Sequence, residues 1–328
     1  MESVTIVTSI LGFVSFDEQL FNSLYSVQIS FLGVIFNWTV VIANRQITTS
    51  KHSFGILTAN QAFGDAIYST TFLFYVSPMI YLNSEFLLKY SEYAGYWLLV
   101  CYDLSTQSHF LISCNRFCAV YYPVKYSTIF SINNTYFMSF LVNFFSVALT
   151  FVNYYIGCPL AWYPEVFLFN FPPTTFCSDI AFYTDFCKYF SFISLVVVID
   201  IMTVLKVHHM RKRIQQTTVS SDKKVAAQRA REMSFLTQTC IQGVIFTCEL
   251  ILYFILSPMI ENRWILFFCT SVAWVTVHSL DGFVTLMFNQ DMKKFVKNNL
   301  LRKGKEEEAS RTGNTDLAAN VSNICKTI

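Results

Sequence analysis

The chain has 328 residues, 54% of them hydrophobic and 17% aromatic but only 13% charged. Soluble domains carry about 25% charged residues. This composition therefore excludes a disordered, collagenous or coiled-coil chain and argues against a water-soluble enzyme. The net charge is only +2, and the basic clusters flank apolar runs, a pattern of membrane topology and not of a nucleic-acid surface.

Windows able to cross about 30 Å of hydrocarbon as a helix fall at Leu24–Asn44, Phe54–Leu82, Ala94–Cys114, Phe137–Ile156, Tyr183–Leu205, Phe235–Pro258 and Ile265–Phe288. The short alternating segments of a barrel are absent, so an all-α seven-transmembrane bundle is expected. Residues 1–23 read as a short extracellular N-terminus, 24–300 as one receptor-sized domain and 301–328 as a cytoplasmic tail. Val4–Phe16 is apolar, but no Lys or Arg precedes it, so a signal peptide is not expected. With the N-terminus outside, all of the 23 Lys and Arg except Lys89, Lys188 and Arg263 fall on the cytoplasmic side. After Phe288, residues Met292, Phe295, Val296, Leu300 and Leu301 share a face against Lys293, Lys294 and Lys297, the pattern of a short interfacial amphipathic helix.

Short motifs sharpen this outline. Asn115-Arg116-Phe117-Cys118-Ala119-Val120-Tyr121-Tyr122-Pro123-Val124-Lys125-Tyr126 resembles the Arg-aromatic-x-Ala-Val-x-x-Pro-Leu-x-Tyr run of rhodopsin-like G-protein-coupled receptors. Asn60-Gln61-Ala62-Phe63-Gly64-Asp65 is similar to their second-helix Asn-Leu-Ala-x-Ala-Asp motif, and Asn37 to their first-helix Asn. His278-Ser279-Leu280-Asp281-Gly282-Phe283 resembles the seventh-helix Asn/Asp-Pro-x-x-Tyr motif, with Gly282 in place of Pro and Thr285 in place of Tyr. The Asp-Gly-Phe variant, the Asn-Arg-Phe triplet and the loop holding Cys158 and Cys177 together resemble the nematode serpentine chemoreceptors of class X.

That resemblance implies a non-enzymatic chemosensory receptor of the plasma membrane, in sensory-neuron cilia. It would take a small-molecule cue and activate a heterotrimeric G protein. The rival is a secondary transporter or ion channel using intramembrane acids; an odd span count and the lack of internal repeats weigh against it. Three departures stand out. Asn115 replaces the usual acid, Ser91 stands where an outer-end cysteine is common, and the fifth and sixth spans have no internal Pro to kink them.

Four sets of candidate residues follow. Asn115, Arg116 and Phe117 would form the activation switch, with Glu232 holding Arg116 at rest; a merely snorkelling Arg is the alternative. Asn37, Asp65, Ser105, His278 and Asp281 would form a buried network, holding a sodium ion near Asp65, sharing a proton through His278, or only packing. No other cofactor or metal is expected. Asp103, Glu249 and Tyr253, with Tyr96, Trp97, Tyr102 and Trp274 as aromatic walls, are the ligand-pocket candidates. Cys158 and Cys177 bracket an outer loop and are expected to bridge; pairing of Cys187 with either, or free thiols, are the competitors.

Overall fold

The computed structural model describes residues 2–47, 52–217 and 223–299, with side chains from residue 18 onward apart from 211–232. Seven long helical spans dominate these residues. The first runs from Glu2 to Gln46. The second covers 53–82, the third Ser91–Tyr121, the fourth Ile132–Tyr155, the fifth 175–217, the sixth 223–256 and the seventh 263–288. A further helix over 290–299 follows.

Five of the seven are apolar enough to cross a membrane on length and composition alone. The second and third are more polar because they carry the interior of the bundle: Asp65, Ser69, Asp103, Ser105 and Asn115 are all buried. Such groups are tolerated in a membrane only when turned inward. The third span packs on the second, fourth and fifth, while the first packs on the second and seventh, closing the ring. The first helix also reaches back beyond the expected start at Leu24. Glu18 is buried and takes an ion pair from Arg263 and a 3.1 Å hydrogen bond from Trp264 Nε1, tying this helix to the head of the seventh.

Local chemistry sets the helix ends. Ser131 accepts from Asn134 N–H at 3.3 Å, Thr174 from Cys177 N–H at 3.1 Å, and Asn262 from Trp264 N–H at 2.9 Å, each satisfying a donor the helix leaves open. Asn289 does the same for the 290–299 helix, accepting from Asp291 and Met292 N–H at 3.1 and 3.3 Å. That helix buries Met292 in a cluster with Val40, Val41, Ala43 and Ala62 and packs Phe295 against it, as its apolar stripe requires.

The missing prolines have a substitute. π-helical turns interrupt the second span at Phe72–Val76, the fifth at Phe182–Cys187, the sixth at Ile251–Leu256 and the seventh at Phe268–Val272. A π turn widens a helix by one residue and commonly marks a functional region. All four lie toward the same end of the bundle, opposite Arg116.

That end is capped by an antiparallel hairpin, β1 (Ala161–Tyr163) and β2 (Leu168–Asn170), with Trp162 facing Phe169. Its aromatic residues Trp162, Phe167, Phe169 and Phe171 are buried in the mouth of the bundle. A disulfide joins Cys158, before β1, to Cys177 in the first turns of the fifth span. Cys187 is a free thiol.

Candidate functional site

The hairpin roofs a narrow cavity of about 10 Å³, room for about one water, whose walls include Tyr102, Asp185, Tyr189, Glu249, Tyr253 and Trp274. Three hydrogen bonds hold the roof. Trp162 N–H donates to Ser91 Oγ at 3.2 Å, Tyr253 Oη to Phe169 O at 3.1 Å, and Ser271 Oγ to Phe167 O at 2.9 Å. Ser91, where a cysteine was noted as missing, thus ties the third span to this loop without a covalent bond. Gly95, one turn on, is needed for the same contact, since a Cβ there would sit 1.9 Å from Leu160 O.

Of the pocket residues read from the sequence, Tyr102, Glu249, Tyr253 and Trp274 line this cavity together. Tyr102 Oη donates to Glu249 Oε2 at 2.7 Å. Tyr96 and Trp97 do not join them. Trp97 is 52% exposed on the outside of the bundle, beside Trp38 and Tyr93, and Tyr96 packs on Tyr154 of the fourth span. The reason is angular: at about 100° per residue, the helix that turns Leu98, Leu99 and Tyr102 inward must turn Tyr96 and Trp97 outward. Asp103 is not among the cavity-lining residues either; Lys188 Nζ lies 2.6 Å from its Oδ1. Asp185 and Tyr189 were missed. They lie one helical turn apart on the fifth span.

Below the cavity lies the polar network. His278 Nδ1 is 2.6 Å from Asp65 Oδ1. Gln61 Nε2 donates to Asp281 Oδ2 at 2.7 Å, and Asn37 Nδ2 donates to His278 O at 2.9 Å. Ser105 is buried and faces Asp65. The five residues expected to cluster do so, with Gln61 as an addition. Gly282 permits it, because a Cβ there would lie 2.4 Å from Asn37 Oδ1. Asp65 Oδ2, Ser105 Oγ and Asp281 Oδ1 are buried oxygens that close no well-formed hydrogen bond among the described residues, although Ser105 lies within electrostatic reach of Asp65 and Gln242 of Asp281. That donor set fits a hard cation.

Aromatic contacts join the two layers. The His278 ring lies 3.9 Å from that of Tyr68 and 5.5 Å from that of Tyr102. Tyr102 therefore touches both Glu249 in the cavity and His278 in the network.

At the opposite end, the Arg116 guanidinium lies 3.6 Å from the ring centre of Phe54, on the second span, and 4.4 Å from that of Phe235, on the sixth. The two rings meet at 4.6 Å, so the bundle is closed here. Asn115 does not pair with a charge. Its Nδ2 donates to Ser53 Oγ at 3.2 Å and its Oδ1 accepts from Tyr126 Oη at 3.4 Å, while Ser53 and Tyr126 share a 2.8 Å bond. Phe117 is half-buried and stacks on Tyr121 at 4.4 Å. The backbone of Glu232 lies in the sixth span, but its side chain falls outside the described residues.

The comparisons with known proteins agree with this geometry. Residues 27–289 match the family model described as serpentine type 7TM GPCR chemoreceptor Srx. The chain belongs to the Srx family. Two Caenorhabditis elegans proteins are similar over most of this Srx chain. Serpentine receptor class X 45 is 28% identical over 82% of this chain and 78% of its own. Serpentine receptor class X-43 is 25% identical over 81% and 83%. A crystal structure of squid rhodopsin superposes with a TM-score of 0.69 across 87% of each chain at 13% identity, which establishes the rhodopsin-like fold. This Srx chain is thus a multi-pass membrane protein of a chemoreceptor class.

Proposed function

We propose that this Srx receptor binds a small molecule in the cavity beneath the hairpin and activates a heterotrimeric G protein at its Arg116 end. The N-terminus and hairpin would face outward and the 290–299 helix the cytoplasm, as the distribution of Lys and Arg favours. The observation that carries the reading is the continuous contact from Glu249 through Tyr102 to His278 and Asp65.

A ligand can shift a two-state bundle only through contacts that differ between the states. One that takes Glu249 from Tyr102 frees a ring lying against His278, and so alters the packing around Asp65. When bound, a sodium ion would offset the charge of the buried carboxylates, held by Asp65, Ser105 and Asp281. His278 holds the other oxygen of Asp65 in place. At the far end Phe54 and Phe235 keep Arg116 within the closed bundle. Outward movement of the sixth span removes Phe235 from the guanidinium and opens a cleft for the G protein.

Nucleotide exchange on a panel of G proteins, driven by the surface-expressed receptor and by Arg116→Ala, tests this. Exchange that depends on Arg116 is expected. An Arg116→Ala receptor that signals as well as the parent refutes the assignment of the switch.

A further inference from the structure

The cavity under the hairpin holds more acid than its own bases balance. Glu249 and Asp185 both line it, both are buried, and they act on one another electrostatically. Glu249 Oε2 is taken by Tyr102, which leaves Oε1 without a donor among the described residues. Asp185 is only 6% exposed, and no described residue donates a hydrogen bond to its carboxylate. The nearby ammonium of Lys188 acts on Asp185 at longer range but is engaged by Asp103 at 2.6 Å. Asp103 and Lys188, neither of which lines the cavity, pair with each other, so among the described residues no cation touches Asp185 or Glu249.

The remaining walls are aromatic. Tyr102 and Tyr189 meet edge to face with centroids 4.4 Å apart, and Trp274 lies 5.8 Å from Tyr102. Tyr253 closes the set, 6.3 Å from Trp274. Aromatic faces attract cations, above all in a desolvated site. A buried carboxylate lacking a partner is unfavourable inside a membrane; it is relieved by a proton or by a cation, and a ligand ammonium supplies the cation. A neutral ligand leaves the imbalance as it is, and an anion worsens it.

We propose that this cavity binds a small organic ammonium, its nitrogen between Asp185 and Glu249 and its apolar part against Tyr102, Tyr189 and Trp274. The assignment rests on the cavity being the ligand site. The open space between these walls is about 10 Å³, room for about one water, so even a compact amine enters only where the aromatic walls part, and a peptide is excluded. Both acids come from spans carrying a π turn: Asp185 lies within Phe182–Cys187 and Glu249 just before Ile251–Leu256.

The full-length receptor in lipid nanodiscs provides the test, read as the thermal unfolding midpoint with no G protein present. The probes are tetramethylammonium, choline, isobutylamine and β-phenethylamine. Isobutanol and 2-phenylethanol are the neutral counterparts, and 3-phenylpropanoate the anionic one. At least one amine is expected to raise the midpoint saturably while its counterparts do not. Asp185→Asn and Glu249→Gln should each weaken that amine at least tenfold. The neutral counterparts act on the unmodified receptor, so they stay decisive if a variant fails to fold.

The proposal is overturned if no amine shifts the midpoint, if an alcohol does as well as its amine, or if both variants keep full affinity. Amine binding without exchange on any G protein sustains the proposal and overturns the signalling reading. Exchange driven by an alcohol or acid but by no amine does the reverse.

Discussion

Replacing Phe235 by Leu should turn the resting receptor constitutively active. The ring lies 4.4 Å from the Arg116 guanidinium and 4.6 Å from Phe54. A cation–π contact at a partly buried site contributes about 1 kcal/mol, and an aromatic pair about as much again. If both exist only in the closed bundle, their loss moves the closed–open balance by about 2 kcal/mol, or roughly 30-fold. A receptor about 1% open at rest would become about 20% open. Phe54→Leu should act in the same direction. The double variant should fall short of the product, because both rings serve one guanidinium and touch each other. The assay is basal nucleotide exchange per surface receptor, with Phe235→Tyr as the ring-retaining control. A Phe235→Leu receptor within twofold of the parent, or a Tyr variant as active as the Leu one, refutes the clamp.

Three further outcomes follow from the geometry. Ser91→Ala leaves the buried Trp162 N–H without its acceptor, at about 1–3 kcal/mol; hydrogen exchange at β1 should quicken, and unchanged protection counts against the docking role. Lys188→Met strands the buried Asp103 carboxylate at a cost of about 3–5 kcal/mol. The paired variant with Asp103→Leu should recover most of the lost thermal stability, and failure to recover it argues that the pair is not the cause. Replacing potassium by sodium at constant ionic strength should raise the unfolding midpoint of the parent but not of Asp65→Asn, whereas equal midpoints in the parent remove the cation from the Asp65 network.

Hydropathy and charge were sufficient to read the spans, because crossing a bilayer imposes length and apolarity on the sequence itself. The motif residues were legible for a related reason. Asn37, Asp65, Ser105 and Asp281 lie one per helix at the depth where the interior is polar, and His278 lies one turn from Asp281. The second and third spans showed the limit of this reading: their buried polar faces dilute the apolar signal that the other five carry. What stayed hidden depended on rotation and on distant contacts. Tyr96 and Trp97 look as suitable for a pocket as Tyr102 until the helix is turned. Lys188 reads as one more charge near the outer end of the fifth span until Asp103, on another span, is found 2.6 Å away. The hairpin gave no signal, since its two strands are three residues each and are held by hydroxyls of three different helices.

The π turns bear on how such a receptor can change its preference. Each adds one residue to a helix, so everything beyond it is swung by about 100° about the axis. The third span, Ser91–Tyr121, is α-helical throughout and keeps a fixed count from Arg116. The second, fifth, sixth and seventh do not. Gain or loss of a single codon within Phe182–Cys187 or Ile251–Leu256 would change the side chains at the Asp185 and Tyr253 positions of the cavity while leaving Tyr189, Glu249 and the Arg116 end untouched. Diversity in what is sensed can then arise by changes of length as readily as by substitution, and residue offsets borrowed from another receptor will misplace Asp185 on the fifth span and Tyr253 on the sixth by one position, while Tyr189, Glu249 and Trp274, on the Arg116 side of the π turns, keep theirs.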